Sequence, residues 1–352
     1  MIHLFDPSSK TRPDSISPND PIRWTWISMQ EEPGKTDAKD FLHRLSTVNL
    51  KTLPVGRGAP GCFLSAQGKI RAFFYLWRYS DTEYGFEFDA GKPETVNPSA
   101  AATISDEVPG AWNAALLQFI DQYTFSEKFT LTETSKTGAF ETRWLFFDSE
   151  NEVPADFPQG SGETSAHAGS VRLCNHGKLD YGKVWISIWG TPEKVNQFLG
   201  ETFSDASKVD LSLVESWRIQ ALRPRIDHEI DQETMPVEVG LTDAVSPNKG
   251  CYPGQEVIEK IISLGSPPRR LCLISGEGRA PTRGQAIFNQ ANPPVEVGFV
   301  GSSIQEGDRY MALAVIRKIH AKEGLEIGFK TSTETNTKPQ NGSIIKISTY
   351  ES

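Results

Sequence analysis

Residues 248–264 read Asn-Lys-Gly-Cys-Tyr-Pro-Gly-Gln-Glu-Val-Ile-Glu-Lys-Ile-Ile-Ser-Leu, and they carry the strongest signal for the fold. Two glycines and a proline surround Cys251, which excludes a continuing helix or strand and predicts a turn. From residue 255 onward, apolar residues recur at helical spacing, which predicts an amphipathic helix. Gly265 is placed to end that helix.

Cys251 precedes this helix by a few residues, and Lys249 lies two positions before it. A helix N-terminus and a nearby cation both favour a thiolate over a thiol. The pattern therefore predicts a reactive Cys251 supported by Lys249. A small buried cysteine in a purely structural turn is the alternative. Cys62, Cys174 and Cys272 have no comparable setting, and the last two are predicted as core residues of strands.

The composition is that of a globular protein, with 38% hydrophobic residues, 23% charged residues and a formal net charge of −9. The acidic balance argues against tight, direct nucleic-acid binding. No signal peptide or membrane-spanning run is found, so a cytoplasmic protein with no membrane contact is expected. Four cysteines without a Cys-x-x-Cys pair predict reduced thiols. The histidine spacing predicts no metal site.

Four segments differ in pattern. Residues 1–22 are predicted to form a mobile arm, because this stretch is mostly polar and interrupted by prolines. Residues 23–147 and 148–265 mix strands and helices without regular alternation, which favours an α+β fold. Residues 266–352 show strand-like runs and no convincing helix, which predicts a β-barrel.

Period-two alternation is clearest in residues 70–79, where Ile70, Ala72, Phe74 and Leu76 share one side and mostly aromatic residues share the other. Because both faces are apolar or aromatic, this strand is predicted to be central and buried. In contrast, residues 148–168 are rich in Glu, Ser, Gly and Pro. They predict a long surface loop.

The string Lys249-Gly250-Cys251-Tyr252-x-Gly254-Gln255-Glu256 resembles the signature of the YgfZ family, folate-binding proteins related to the glycine cleavage T-protein. Looser resemblances occur at 67–70, 217–224, 297–302 and 311–315. The resemblance implies two ferredoxin-like α+β units that frame a folate pocket, followed by a C-terminal β-barrel. It also implies tetrahydrofolate as the ligand.

The role of reactive residue in the family carries over to Cys251, with Lys249 as a second member of the signature. The resemblance also suggests five folate-contacting residues, which are Lys69, Arg218, Gln220, Tyr252 and Gln255. At Gln220 the family usually has a glutamate, and at Leu222 a glycine. Loss of a charge-assisted hydrogen bond would weaken folate binding roughly ten- to a hundredfold. Gln220 could instead be only a polar helix residue.

By resemblance, the chain is expected to be a folate-binding accessory protein of iron–sulfur cluster assembly or repair, and thereby of tRNA modification. Its partners would be iron–sulfur client or assembly proteins. Cys251 alone is too little to hold a cluster, since four thiolates are usual. A tetrahydrofolate-dependent aminomethyltransferase is one alternative, although residues 89–98 do not reproduce the T-protein's Asn and Lys-Asp arrangement. A non-catalytic scaffold without folate binding is the other, so whether the chain is an enzyme stays open.

Overall fold

The structure is a computed structural model, and it describes residues 1–7, 24–35, 37–91, 111–133, 140–167, 171–179, 182–247, 249–264, 267–329 and 340–348. Several features singled out in the sequence lie outside these residues. They are most of the predicted arm, the segment 92–98, Asn248 and the predicted helix end at Gly265.

The strands are, in chain order, β1 Ile2–Phe5, β2 Trp24–Glu31, β3 Arg57–Leu64, β4 Ile70–Arg78, β5 Glu83–Asp89, β6 Phe129–Glu133, β7 Glu141–Phe147, β8 Thr164–His167, β9 Val171–Lys178, β10 Val184–Gly190, β11 Ser207–Lys208, β12 Arg269–Glu277, β13 Ala286–Phe288, β14 Glu296–Glu306, β15 Arg309–Arg317, β16 Glu326–Phe329 and β17 Gln340–Ile347. The helices are α1 Asp37–Leu45, α2 Ala111–Tyr123, α3 Pro192–Thr202, α4 Leu211–Gln220 and α5 Gln255–Ser263.

The first sheet has five antiparallel strands in the order β3-β4-β5-β2-β6. The side chains of Ile70, Ala72, Phe74 and Leu76 on β4 are buried, and the last three share one core with apolar residues of α1 and α2. Phe73 and Tyr75 on the other face of β4 line a cavity that the second sheet also lines. The predicted central strand is therefore confirmed.

The second sheet has six strands in the order β11-β1-β7-β10-β9-β8, with β1 and β11 parallel and the other pairs antiparallel. The predicted arm is wrong for residues 2–5, because β1 pairs with β7 and places His3 opposite Phe146. Phe5 is buried. A four-residue apolar run is too short to show a period, and its order depends on a distant partner strand.

The predicted boundary at residue 147 and the loop predicted for residues 148–168 also need correction. β7 lies between β1 and β10 in the second sheet, although the sequence assigned it to the first unit. β8 forms an edge strand within the predicted loop. Neither fact is visible locally, because pairing partners are set by tertiary contacts and the sequence of β8, Thr-Ser-Ala-His, has little apolar pattern.

The C-terminal unit is a closed barrel of six strands in the order β12-β15-β14-β13-β16-β17. Its interior is filled by buried apolar side chains such as Ile274, Val300 and Ile344. The short β13 was not predicted. The mixed α+β architecture with a C-terminal barrel confirms the predicted fold class.

Residues 221–247 join α4 to the turn before α5, and this joining segment has little regular secondary structure. Its apolar side chains, Ile226, Ile230 and Leu241 among them, are buried in one core with Ile70 of β4 and Leu271 of β12. The joining segment therefore ties the first sheet to the barrel, and it brings its own charged residues to the space between the sheets.

Candidate functional site

A cavity of about 100 Å³ lies between the first and second sheets, and we call it the aromatic cavity. Its lining from the two sheets is mainly aromatic and includes Trp24, Phe73, Tyr75, Trp144, Phe146 and Trp185. α4 and the joining segment supply the remaining wall, which carries paired charges. Apolar walls with a few convergent polar groups are typical of small-molecule sites.

Three indole rings pack against one another at this cavity. The centroid of Trp24 lies 4.9 Å from that of Trp144 and 5.6 Å from that of Trp185, and Trp144 and Trp185 are 5.0 Å apart. The indole nitrogens of Trp144 and Trp185 are buried, and neither has a hydrogen-bond partner in the described part of the chain. Because buried indole N–H groups normally find an acceptor, these two donors suit a ligand with acceptor atoms.

Glu87 on β5 is a fully buried carboxylate beside the tryptophans. Three indoles donate to it, from Trp24 at 2.7 Å, Trp77 at 2.9 Å and Trp189 at 2.8 Å. Burial by itself raises the pKa of a carboxyl, but His176 and the hydrogen-bond donors outweigh burial, and the pKa of Glu87 lies below its usual value. Glu87 therefore places a negative charge at the edge of the cavity.

A second buried group of charges lies at α4. Arg218 donates to the two oxygens of Glu215 at 2.9 and 2.7 Å, and its Nη1 lies 3.4 Å from Glu229. Nε of Arg225, in the joining segment, donates to Asp89 of β5 at 3.1 Å. Burial opposes the charge on Glu215, but Arg218 and Arg225 lower the pKa of that carboxyl to about 2. The cavity thus ends in ion pairs that are largely shielded from water.

Two further concave regions adjoin the aromatic cavity. One, which we call the polar cavity, has about 140 Å³, is lined partly by His176, and shares Tyr75 and Arg223 with the aromatic cavity. The other is an open groove of about 1,080 Å³ between α4 and the barrel, and it shares Glu215 and Arg225.

Of the residues expected to contact folate, Arg218 lines the aromatic cavity and Gln220 does not. The Gln220 amide instead donates to Oγ of Ser216 at 2.8 Å. The carboxylate that α4 contributes to the cavity is Glu215. Positions 215 and 218 share one face of the helix because they are three residues apart, whereas position 220 lies on another face.

Three other residues that were expected to contact folate also lie outside the lining of the aromatic cavity. Nζ of Lys69 donates to the main-chain oxygen of Glu233 at 2.5 Å. Tyr252 is buried in the core of the joining segment. The Gln255 amide donates to the main-chain oxygen of Lys249 at 3.3 Å. Each of these side chains makes a contact that stabilises the local backbone.

Lys249 begins the signature loop, by which we mean residues 249–255. Its side chain is buried, and Nζ donates to the main-chain oxygens of His43 and Ser46 at the end of α1. The same ammonium lies 5.0 Å from the centre of the Tyr252 ring. Burial lowers the pKa of Lys249 to about 8. The side chain therefore fastens the loop to the first unit, and no hydrogen bond or ion pair joins it to Cys251, both residues being described.

Gly254 precedes α5 with a φ of +80°, a left-handed conformation that favours glycine. A Cβ at this position would lie 2.4 Å from the main-chain oxygen of Ser65. The loop thus packs directly on the β3–β4 turn. Within it Cys251 is exposed, whereas Cys62, Cys174 and Cys272 are buried. Burial raises the pKa of the thiols of all three buried cysteines.

The sequence reasoning missed the residues that build the aromatic cavity, because they come from separate elements. One local signal was present at Glu87 and Asp89, where acidic residues interrupt the apolar strand Glu-Tyr-Gly-Phe-Glu-Phe-Asp. An acidic residue in a buried strand needs a partner. The tryptophans Trp144 and Trp185 gave no comparable signal, since a tryptophan in a strand is ordinarily a core residue.

Over the described ranges, no three side chains of His, Cys, Asp or Glu are grouped so that they could hold a metal ion. Among the same residues, every helix is too short or too polar to cross a membrane.

Comparisons with known proteins agree with the fold. No protein-family model matches the chain. The tRNA-modifying protein YgfZ of Photobacterium profundum is 24% identical over 260 residues, which cover 71% of this chain and 69% of that protein. The tRNA-modifying protein YgfZ of Aliivibrio fischeri (strain MJ11) is 22% identical over 307 residues, or 82% of this chain and 81% of that protein. The chain resembles YgfZ.

Two further comparisons concern a short segment of the chain and its fold. A putative chloroplastic transferase of Arabidopsis thaliana is 40% identical over 58 residues, which are 16% of this chain and 13% of the plant protein. The crystal structure of the glycine cleavage system aminomethyltransferase T from Bartonella henselae superposes with a TM-score of 0.71, covers 98% of this chain and 85% of its own, and is 16% identical. At that identity the likeness shows the fold alone. The predicted resemblance to YgfZ, with a fold like that of the T-protein, is confirmed.

Proposed function

We propose that this YgfZ-like chain binds a reduced folate in the aromatic cavity and acts as an accessory protein in tRNA modification. The observation that carries this proposal is a cavity lined by indole rings and carboxylates, where the buried indole nitrogens of Trp144 and Trp185 have no partner among the residues that the structure describes. The edge of a reduced pterin presents both acceptors and N–H donors beside a flat ring. Stacking on indoles and hydrogen bonds of both kinds would hold such a ring.

The paired charges in the wall of the aromatic cavity favour a ligand with a polar ring over a hydrocarbon ligand. Glu215 lines the cavity from the helix on which the resemblance pointed to Gln220. Its carboxylate is already paired with Arg218, so a ligand N–H would meet an acceptor of fixed position. Glu215 can therefore take the role that a glutamate at position 220 would have had.

We propose that Cys251 is the reactive residue, working from outside this cavity. Its thiol is exposed, and the backbone around it is held by Lys249, Tyr252 and Gly254. A fixed, solvent-facing thiol is available to a protein partner. Such partners would be the cytoplasmic assembly proteins or clients of iron–sulfur enzymes, including enzymes that modify tRNA.

Binding is tested by titrating tetrahydrofolate under anaerobic conditions and following quenching of tryptophan fluorescence. Trp144→Phe keeps an aromatic ring but removes one unpartnered donor, and we expect about tenfold weaker binding. Trp217→Phe is the matched control, because Trp217 does not line the cavity. If the wild-type protein does not bind, the folate proposal fails.

The role of Cys251 is tested separately in cells that lack the chain's counterpart and have low activity of an iron–sulfur tRNA-modifying enzyme. Cys251→Ala should fold and bind tetrahydrofolate normally yet fail to restore that activity. Full restoration by this variant would refute a reactive role for the thiol while leaving the binding proposal intact.

A further inference from the structure

The open groove between α4 and the barrel is large enough to hold a segment of polypeptide. Its volume is about 1,080 Å³, whereas small-molecule sites usually have roughly 300–1,000 Å³. One wall comes from residues 208–216, which lead from β11 into α4. The other wall comes from residues 279–283, between β12 and β13, and from residues 301–306 of β14.

Exposed cations lie on both walls of the open groove. Lys208 lies on the wall of β11, and Arg279 and Arg283 lie on the barrel wall. Two exposed carboxylates also line the groove, but both are engaged with α4. Asp210 is the N-cap of that helix, and Glu306 accepts a hydrogen bond from one of its serines. In a chain with a net charge of −9, the groove therefore offers positive charge to an acidic partner.

Apolar side chains line the open groove together with these charges. Leu213 of α4 is 39% exposed, and Val209 and Ile304 are half-buried. A single exposed leucine is ordinary on a protein surface, but this one lies in a concave region beside exposed cations. Apolar contacts surrounded by polar groups are typical of protein–protein interfaces. A chain that fits the groove therefore carries an apolar side chain as well as carboxylates.

β11 is an edge strand beside the open groove. It lies at the end of the second sheet and pairs with β1 alone among the described strands. The N–H of Val209 donates to the main-chain oxygen of Leu4 on β1. Because main-chain groups alternate along a strand, the N–H and C=O of Lys208 point away from β1. Such groups on an edge strand can pair with an added extended segment.

The lining of the open groove favours a protein over a nucleic acid. Proteins commonly hold single-stranded nucleic acid by stacking its bases on aromatic side chains along a basic groove. Among the described residues that line the groove, none is Phe, Tyr or Trp. The exposed apolar side chain of Leu213 also has no counterpart on a phosphate backbone.

We propose that the open groove binds an extended, acidic segment of a partner protein. The segment lies alongside β11, with carboxylates toward the exposed cations and an apolar side chain toward Leu213. The inference goes beyond the proposed function and does not depend on it, because neither bound folate nor the Cys251 thiol takes part.

The first test titrates the folate-free protein into a fluorescein-labelled peptide of Glu-Glu-Leu repeats and follows fluorescence anisotropy. Reversing two charges, with Arg279→Glu and Arg283→Glu in one variant, should weaken binding at least about tenfold. The matched control combines Arg317→Glu and Lys322→Glu, which change the net charge equally at exposed residues outside the groove. Its affinity should stay within about twofold of the wild-type value. Thermal melting establishes that each variant is folded.

The second test measures hydrogen–deuterium exchange of the wild-type protein with and without the peptide. Exchange of the Lys208 amide should slow when the peptide is bound, because an added strand would take up that N–H. Attraction between charges alone would not slow it. Unchanged exchange at Lys208 would overturn the placement of the segment beside β11.

Two further labelled probes separate the proposed partner from other classes of ligand. A peptide of Lys-Lys-Leu repeats and a single-stranded oligouridine should both bind more weakly than the acidic peptide. Tighter binding of the oligouridine would overturn the inference in favour of a nucleic acid. The inference would also fail if the acidic peptide did not bind, or if both double variants bound it equally well. Since folate is absent from all these measurements, their outcome is independent of the proposed function.

Discussion

The aromatic cavity and the signature loop are built on opposite principles. In the loop, the contacts of Lys249, Tyr252 and Gly254 hold the backbone in place, whereas the side chain of Cys251 is exposed. At the cavity, by contrast, Glu87 of the first sheet accepts a hydrogen bond from Trp189 of the second sheet, so a polar side chain of the cavity wall also holds the two sheets together. A substitution at Cys251 should therefore change function without changing stability, whereas substitutions in the cavity wall should change both.

The largest effect is expected at Glu87. Replacing it with leucine would remove the acceptor of three indole donors, of which those of Trp77 and Trp189 are buried, and the carboxylate beside His176. Breaking a buried charge arrangement of this kind costs about 4–5 kcal/mol in the free energy of unfolding. Urea denaturation measures the loss. The control is Glu83→Leu on the same strand, which removes a partly exposed pair with Arg172 and should cost under about 1 kcal/mol. Equal losses for the two variants would contradict the larger contribution expected from the buried hydrogen bonds of Glu87.

Arg218→Met should have the next largest effect, about 3 kcal/mol at pH 6, because it leaves Glu215 with a weaker partner in Arg225, 3.8 Å away. The pKa of Glu215 is lowered to about 2 from the usual 4.5, so its ionisation stabilises the fold above about pH 4.5 and this contribution is lost as the pH falls toward 2.

The difference in stability between wild type and Arg218→Met should therefore shrink between pH 6 and pH 3, as followed by denaturation at several pH values. A difference that stays constant over that range would contradict the assignment of the Arg218–Glu215 pair as the main contributor.

These two regions also show what a sequence can reveal. The loop is a contiguous string, so its turn, the helix α5 and the resemblance to YgfZ could all be predicted from residues 248–264. The cavity gathers Trp24, Glu87, Trp144 and Trp185 from four strands of two sheets. Its composition depends on which strands pair, and β1, β7 and β8 show that pairing partners are not visible locally.

Two single positions show the same limit of prediction from local sequence. The charge of Lys249 was expected to act on Cys251, but the backbone turns it toward the carbonyl groups that end α1. Gln220 was expected to contact folate, but its amide donates to Ser216, whereas Glu215 of the same helix lines the aromatic cavity. In both cases the direction of the side chain follows from packing, which the sequence does not show.

Within the loop, Gly254→Ala should cost about 1–3 kcal/mol, since alanine would adopt a left-handed conformation and meet the main-chain oxygen of Ser65. Gly250→Ala is the matched control. Its Cβ would meet only Nε2 of His43, at an ordinary 3.6 Å, and the stability should change by less than about 0.5 kcal/mol. Denaturation curves of the two variants measure the free energy of unfolding. Similar decreases for both variants would mean that the loop does not pack on the β3–β4 turn.

The smallest change in stability is expected for Cys251→Ser, below about 0.5 kcal/mol, because the side chain is exposed. Its effect on thiol chemistry should be complete. A chromogenic disulfide reagent should modify one thiol quickly in the native wild-type protein and none quickly in the variant, while the three buried cysteines react only after unfolding. Rapid modification of a second thiol in the native protein would contradict the described burial.

The proposed separation of the ligand site from the Cys251 thiol can be tested by titrating tetrahydrofolate into the wild-type protein and Cys251→Ala under identical anaerobic conditions. We expect micromolar binding by both proteins, with dissociation constants within a factor of two. Loss of binding in Cys251→Ala, or no binding by the wild-type protein, would contradict it.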